Sequence, residues 1–247
     1  MFEVIDQASN QTNAQWQTAI DADFAAFQND RMIAAAGYAL VQSCVSKFFF
    51  RRSIGFLGIL KAALTRMGRS IGVPEDGALV PFSQNGVGQA VTTVYHDEAM
   101  NPGLDSNRFM TVTSYNGLDG YFITRPLIMS SDTSDFTELQ YGRVMDEACR
   151  VTNSFFTKKL NSDVRLDPKK GTILEKDARS LESGNDSELQ RVLVNTGNVS
   201  PTPQMTFVSR DDNISSTKTV TVTIKILPKG YLEQIPVTMT FINPALG

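Results

Sequence analysis

The only histidine, His96, stands in Tyr95-His96-Asp97-Glu98 directly after a strand-like run, so chemistry is sought there first. An imidazole beside two carboxylates could work as a general acid–base group or bind a metal. Either role needs company: a second nitrogen or sulfur donor for a metal, or a positioned nucleophile for a triad. No second histidine exists, and the chain reads here as a loop histidine with hydrogen-bonding neighbours. A hydrolase using His96, Asp97 and Glu98 is the rival; His96→Ala would then cost activity without costing assembly. Cys44 and Cys149 are far apart, fit no CxxC spacing, and read as small buried hydrophobes. Gly86-Val87-Gly88-Gln89-Ala90-Val91 begins like a dinucleotide fingerprint, but it lacks the third glycine and leads into a strand. Lys47, Arg51 and Arg52 interleave with Phe48, Phe49 and Phe50, a pattern that could stack on single-stranded nucleic acid. The preferred reading is a strand that feeds its phenylalanines to a core and leaves its arginines outside. No catalytic, cofactor-binding or metal-ligating residue is therefore assigned, and no cofactor is expected.

The elements that must hold these groups are legible from periodicity. Trp16, Ile20, Phe24 and Phe27 form one stripe of an amphipathic helix over residues 13–29, with Asn13 as its N-cap. Residues 32–41 read as a buried strand and 54–67 as a second helix. Residues 72–90 are glycine- and proline-rich loop, with a short strand near Leu79-Val80. A meander follows, with strands at 90–95, 108–114 and 121–129; Asn116-Gly117 and Asp119-Gly120 turn the last pair. A long helix capped within 131–135 runs to about Asn161 and buries Phe136, Val144, Ala148, Val151 and Phe155. Another covers 175–194 with a possible break at Gly184, and 195–217 is polar loop with an Asp211-Asp212-Asn213 turn. Lys158-Lys159 and Lys169-Lys170 flank an acidic stretch, either as a solvated surface or as pairs between subunits.

The last thirty residues are the most regular. In residues 219–226, Val220, Val222, Ile224 and Ile226 alternate with Thr219, Thr221, Thr223 and Lys225. After Pro228-Lys229-Gly230, residues 233–242 place Ile235, Val237, Met239 and Phe241 on one face. A period of two marks half-buried strands, and an unpaired strand edge is a template for another chain. These eight apolar residues are the candidate subunit interface.

The 247 residues carry a net charge of −3, which argues against nucleic-acid binding through a global basic field. The apolar-rich stretch at 54–64 is interrupted by Lys61 and is too short to span a bilayer. The N-terminal residues do not form a secretory leader, so synthesis in a reducing cytoplasm is expected. The fold class expected is α/β (α+β): a mixed sheet flanked by helices, with a C-terminal β-hairpin or arm. Residues 1–75 form a helix–strand–helix region of the same body, 76–216 the core, and 217–247 the terminal strands.

Three blocks are similar to one known family. They are Val94-Tyr95-His96-Asp97-Glu98-Ala99-Met100-Asn101-Pro102-Gly103-Leu104-Asp105; then Asn107 to Tyr115 running on to Gly120-Tyr121-Phe122-Ile123-Thr124-Arg125; then Ser134-Asp135-Phe136 with Arg143-Val144-Met145-Asp146-Glu147-Ala148-Cys149-Arg150. With the closing Phe241-Ile242-Asn243-Pro244-Ala245-Leu246, their order resembles the C-terminal part of contractile tail sheath proteins of Mu-type phages and prophages. The resemblance implies a structural subunit that polymerises in rings around a tail tube and contracts to drive it through a target envelope. It implies identical subunits, a tail tube protein, and baseplate and terminator proteins as partners, with no nucleic acid or membrane, in a virion tail made in a bacterial cytoplasm. It also implies strand exchange, with 233–242 donated and 219–226 receiving. The resemblance further implies that the family's N-terminal arm and outer variable region are missing from this sequence. A binding or capping module that does not polymerise, or a prophage remnant, is therefore the alternative.

Overall fold

The computed structural model describes residues 2–5, 11–24, 26–42, 48–79, 91, 93–131 and 133–231. In chain order these form β1 (Phe2–Ile5), α1 (Asn13–Phe24), β2 (Ile33–Ala36), β3 (Tyr38–Gln42), β4 (Phe49–Ser53) and α2 (Ile54–Leu64). After a 3-10 turn at Pro74–Asp76 come β5 (Thr93–Val94), β6 (Val112–Tyr115), β7 (Leu118–Ile123) and α3 (Leu139–Thr157). The remainder is α4 (Glu175–Leu189), a π-helical turn (Gln190–Val194), β8 (Thr206–Val208), α5 (Ile214–Thr217) and β9 (Val222–Ile224). The fold is α/β, as expected. Among the described residues its strands are shared between small sheets: parallel β1–β2, antiparallel β4–β3–β5, and the pairs β6–β7 and β8–β9.

The N-terminal half is built on α1 and the strands beneath it. The helix starts one residue earlier in its capping than Asn13 suggests. Thr12 Oγ1 accepts the Gln15 N–H at 3.3 Å while Gln15 Oε1 accepts the Thr12 N–H at 3.0 Å, a reciprocal capping box. Trp16 and Ile20 are buried, and Phe24 and Phe27 pack against the same cluster. The helix stops at Phe24, short of the expected Asn29, and the two phenylalanine rings meet edge to face at 5.7 Å. The expected buried strand is real but divided: Gly37, at φ +91°, separates β2 from β3. That conformation favours glycine and redirects the chain into the second sheet. Ser53 ends β4 and caps α2, its Oγ accepting the Phe56 N–H.

In the C-terminal half α3 starts at Leu139, with Glu138 as its cap, so the start expected at 131–135 and the placement of Phe136 on the helix are corrected. Val144, Ala148 and Val151 are buried as the periodicity requires. No break occurs at Gly184: α4 runs on into the π-helical turn, and Phe155 packs on that glycine. The expected loop at 195–217 contains β8, which its three-residue length and polar flanks concealed.

Two pairs of apolar clusters fill the molecule. Buried residues from Trp16 to Met129 form those of the N-terminal half, and buried residues from Val144 to Val208 those of the other. The seam between them closes at Gly68. A Cβ there would lie 2.0 Å from the Asn198 carbonyl oxygen, so only glycine lets the backbones approach. The Gly68 N–H donates to Asn198 Oδ1 at 3.3 Å, and the Gly68 carbonyl accepts from the Tyr231 hydroxyl at 2.7 Å.

Candidate functional site

The candidate interface strand lies in the two-stranded sheet of the C-terminal half. β9 runs antiparallel to β8 with Thr206 opposite Ile224, Phe207 opposite Thr223 and Val208 opposite Val222. The pairing continues at both ends, where Lys225 donates to the Met205 carbonyl and Ser209 to the Thr221 carbonyl, each at 2.8 Å. Odd-numbered residues therefore hydrogen-bond across the pair, and the backbone groups of even-numbered residues point out of both edges. Val220, Val222, Ile224 and Ile226 are half-buried and pack on the two C-terminal clusters, while Thr221, Thr223 and Lys225 are exposed. The alternation read from the sequence is thus the alternation of the fold. Ile235, Val237, Met239 and Phe241 lie outside the described residues.

The sheet rests on α3 and α4 through a buried polar contact. Asn185 is fully buried, and its Nδ2 donates to Thr206 Oγ1 at 2.8 Å and to Thr152 Oγ1 at 3.1 Å. Other side chains of α4 reach the outer edge of β8. The Thr206 N–H donates to Asp186 Oδ1 and the Val208 N–H to Glu182 Oε1, both at 2.8 Å. The Thr206 carbonyl accepts from Gln204 Nε2 at 2.9 Å, and the Val208 carbonyl accepts from Arg210 Nη1. Arg210 also pairs with Glu182 and with Glu175. Its guanidinium holds the Glu182 carboxyl below the usual range and, with Arg179, holds Glu175 down to about 2. The outer edge of β9 is finished differently. Among the described residues no group reaches the outward N–H and C=O of Val222 and Ile224.

The other sequence candidates separate from this sheet. His96 is 2 % exposed, stands edge-on to Trp16 at 5.4 Å, and its Nε2 lies 3.0 Å from Glu98 Oε2. Glu98 Oε1 accepts the N–H groups of Gly103 and Asp105 at 2.6 and 3.1 Å. Burial pulls the Glu98 carboxyl upward, but the hydrogen bonds from His96, Gly103 and Asp105 outweigh it and hold it low. Asp97 accepts from the Ser114 N–H at 3.0 Å. These polar groups tie a loop to its neighbours, as the sequence reading has it. Among the described residues no group of three or more His, Cys, Asp or Glu side chains could hold a metal.

Cys149 is exposed on α3, which corrects its reading as a buried hydrophobe; Cys44 lies outside the described residues. Phe50 packs against the core, but Phe48 and Phe49 are 77 % and 58 % exposed, so the expectation of three phenylalanines turned inward is corrected. Arg51 stacks over the Tyr38 ring at 3.5 Å and Arg52 over Phe50 at 4.5 Å. Lys47 and the glycines Gly86 and Gly88 lie outside the described residues. A groove beside α2, lined by Leu57, Leu60, Ala63 and Leu64, has Lys61, Arg69 and Asp76 at its rim. Lys61 donates to the Gly77 carbonyl and Arg69 pairs with Asp76, so these three rim groups are spent on the fold. No helix of the described residues is long and apolar enough to cross a membrane.

The residues that meet the outer edge of β8, Glu182, Asp186, Gln204 and Arg210, are not among the sequence candidates. Their one local signal is Glu182 and Asp186 at i and i+4, on the face of α4 that also carries Ala178, Asn185 and Leu189.

This arrangement of helices and small sheets recurs in solved structures. The helical sheath of the anti-feeding prophage in its contracted state matches with a TM-score of 0.58 at 12% identity, covering 97% of this chain and 61% of the other. The sheath complex of the PVC extracellular contractile injection system, also contracted, matches with a TM-score of 0.59 at 13% identity, covering 96% of this chain and 63% of the other. A sheath tail protein from Listeria innocua matches with a TM-score of 0.51 at 13% identity, covering 92% of this chain and 53% of the other. The chain therefore has the fold of contractile-sheath subunits, and it spans about three fifths of the length of the first of these. In sequence, residues 135–246 match the family model described as DUF2586, C-terminal domain. No curated protein matches the chain.

Proposed function

We propose that the chain is a structural subunit of a contractile tail-like sheath, joined to identical subunits by strand addition at β9 and acting on no substrate of its own. The observation that carries this reading is the outer edge of β9, which no group among the described residues meets, in a chain whose fold is shared with sheath subunits. The donated strand is residues 233–242 of a neighbouring subunit, whose Ile235, Val237, Met239 and Phe241 supply the alternating face. A strand seated there forms main-chain hydrogen bonds to Val222 and Ile224, each worth about 0.5–1.5 kcal/mol net. Such bonds demand little of the surrounding surfaces, so a joint of this kind survives rotation of the bodies it links. Weak joints repeated around a lattice add through effective concentration. A tail tube, a baseplate and a terminator are the further partners this role requires. The polar set around His96 organises a loop under this reading.

The test is solution mass across concentration and salt for the full chain and for a version ending after Tyr231. Keeping Tyr231 preserves its hydrogen bond to Gly68. Large assemblies that disappear on shortening, leaving folded subunits, support the reading. A folded full chain that stays monomeric throughout overturns it in favour of a capping module.

A further inference from the structure

The two outer edges of the β8–β9 pair are chemically unequal, and the inequality has a direction. Every outward backbone group of β8 is met by a side chain: Thr206 N–H by Asp186, Val208 N–H by Glu182, Thr206 C=O by Gln204 and Val208 C=O by Arg210. Acceptors stand opposite donors and donors opposite acceptors, in the order a neighbouring strand would present them. Two of these side chains come from one face of α4, and the other two flank β8 in sequence. Arg210 ties the set together by pairing with Glu182, so an acceptor and a donor of the clamp fix each other. An unclamped edge is an invitation to another chain, and a covered or charged one is not.

We infer that Glu182, Asp186, Gln204 and Arg210 form a strand-mimicking clamp that confines strand addition to β9, and so fixes on which side the sheet grows between subunits. The inference rests on the strand-addition reading above and adds its direction. The clamp residues are positioning residues: besides the pairing of Arg210 with Glu182 and Glu175, they bond their own strand, and they act by occupying the outward N–H and C=O groups that a neighbour would use.

The experiment reads amide hydrogen exchange at Thr206, Val208, Val222 and Ile224 in the full chain, as dissociated subunits and as assemblies. In the native sequence, assembly should slow Val222 and Ile224 at least tenfold and leave Thr206 and Val208 at the slow rate they already have. In Asp186→Ala with Gln204→Ala, the Thr206 N–H should exchange at least tenfold faster in the subunit and slow again on assembly, as a neighbour occupies the freed edge. Asp186→Asn, which keeps a carbonyl oxygen for Thr206, should restore the native pattern. Slowing of Thr206 or Val208 on native assembly overturns the inference, because the clamped edge would then be in use. So does a double variant whose Thr206 stays fast in assemblies, since α4 itself would then be closing the edge. Should the double variant fail to fold, the native comparison alone decides. If neither edge slows in native assemblies, strand addition itself has failed, and the clamp's directing role falls with it.

Discussion

β8 and β9 are neighbours of similar length in one sheet, each carrying outward backbone groups on its far side. On β8 those groups are consumed by carboxylates, an amide and a guanidinium brought from α4 and the strand's own flanks. On β9 the corresponding groups of Val222 and Ile224 meet nothing among the described residues, although the side chains of the same residues are well packed below. Among the described residues the fold thus spends polar side chains on one edge and none on the other. Packing quality and edge availability are independent properties of a strand, and a sheath-type joint needs the first without giving up the second.

The sharpest way to break this contrast is Val222→Pro with Ile224→Pro. Proline removes only the outward N–H at each position, since the bonds to β8 run through odd-numbered residues, and proline is tolerated on edge strands. Losing two main-chain bonds per joint, about 1–3 kcal/mol, should raise the concentration needed for assembly by about fivefold to 150-fold. Sedimentation would follow the assemblies and far-ultraviolet dichroism the intact subunit; unchanged assembly would contradict the role given to β9.

The clamped edge should answer to stability instead. Arg210→Ala strands the Glu182 carboxylate, whose side chain is 8% exposed, and frees the Val208 carbonyl. A broken buried pair costs about 3–5 kcal/mol, but Arg210 is itself one-third exposed, so about 2 kcal/mol is expected from urea unfolding. Thr223→Ala on the exposed face of β9 should stay within about 0.5 kcal/mol. Equal losses at the two sites would erase the distinction between the strands.

The smallest effect is in pH. Glu175, beside Arg210 and Arg179, and Asp177, beside Arg165, are both held down to about 2. A carboxyl depressed in the folded state stabilises it fully above the ordinary value of about 4. That contribution fades as pH falls from about 4 towards 2. Melting temperature measured from pH 6 to pH 2 should therefore hold level and then decline in that window. In Glu175→Gln the decline should be shallower.

The helices and the half-buried strand were legible because their periodicity is local. Val144, Ala148 and Val151, and Val220 through Ile226, fall where spacing alone puts them. Boundaries were less legible. Thr12 and Gln15 cap α1 with side chains that Asn13 equals in propensity, and Phe136 continues an apolar stripe that the backbone does not follow. Beyond the i, i+4 spacing of Glu182 and Asp186, the clamp was not legible. Asp186 and Gln204 are separated in sequence and meet only because α4 folds back over a three-residue strand, and neither residue type signals an edge until the strand is known. Cys149 misled because thiols are commonly buried, and its exposure is decided by which way α3 turns its apolar face.

The segment leaving β9 is fastened at successive points. Ser200 bonds to the Leu227 and Pro228 carbonyls, the Tyr141 hydroxyl donates to the Lys229 carbonyl at 3.3 Å, and the Tyr231 hydroxyl donates to Gly68 at 2.7 Å. Mechanically this is a strain relief. A pull arriving along the chain from beyond Tyr231 loads the Gly68 seam, where two backbones are in contact, before it reaches the β8–β9 ladder. Under the proposed strand addition, tension between subunits would thus be borne by the body of the molecule, while the short β8–β9 sheet is spared.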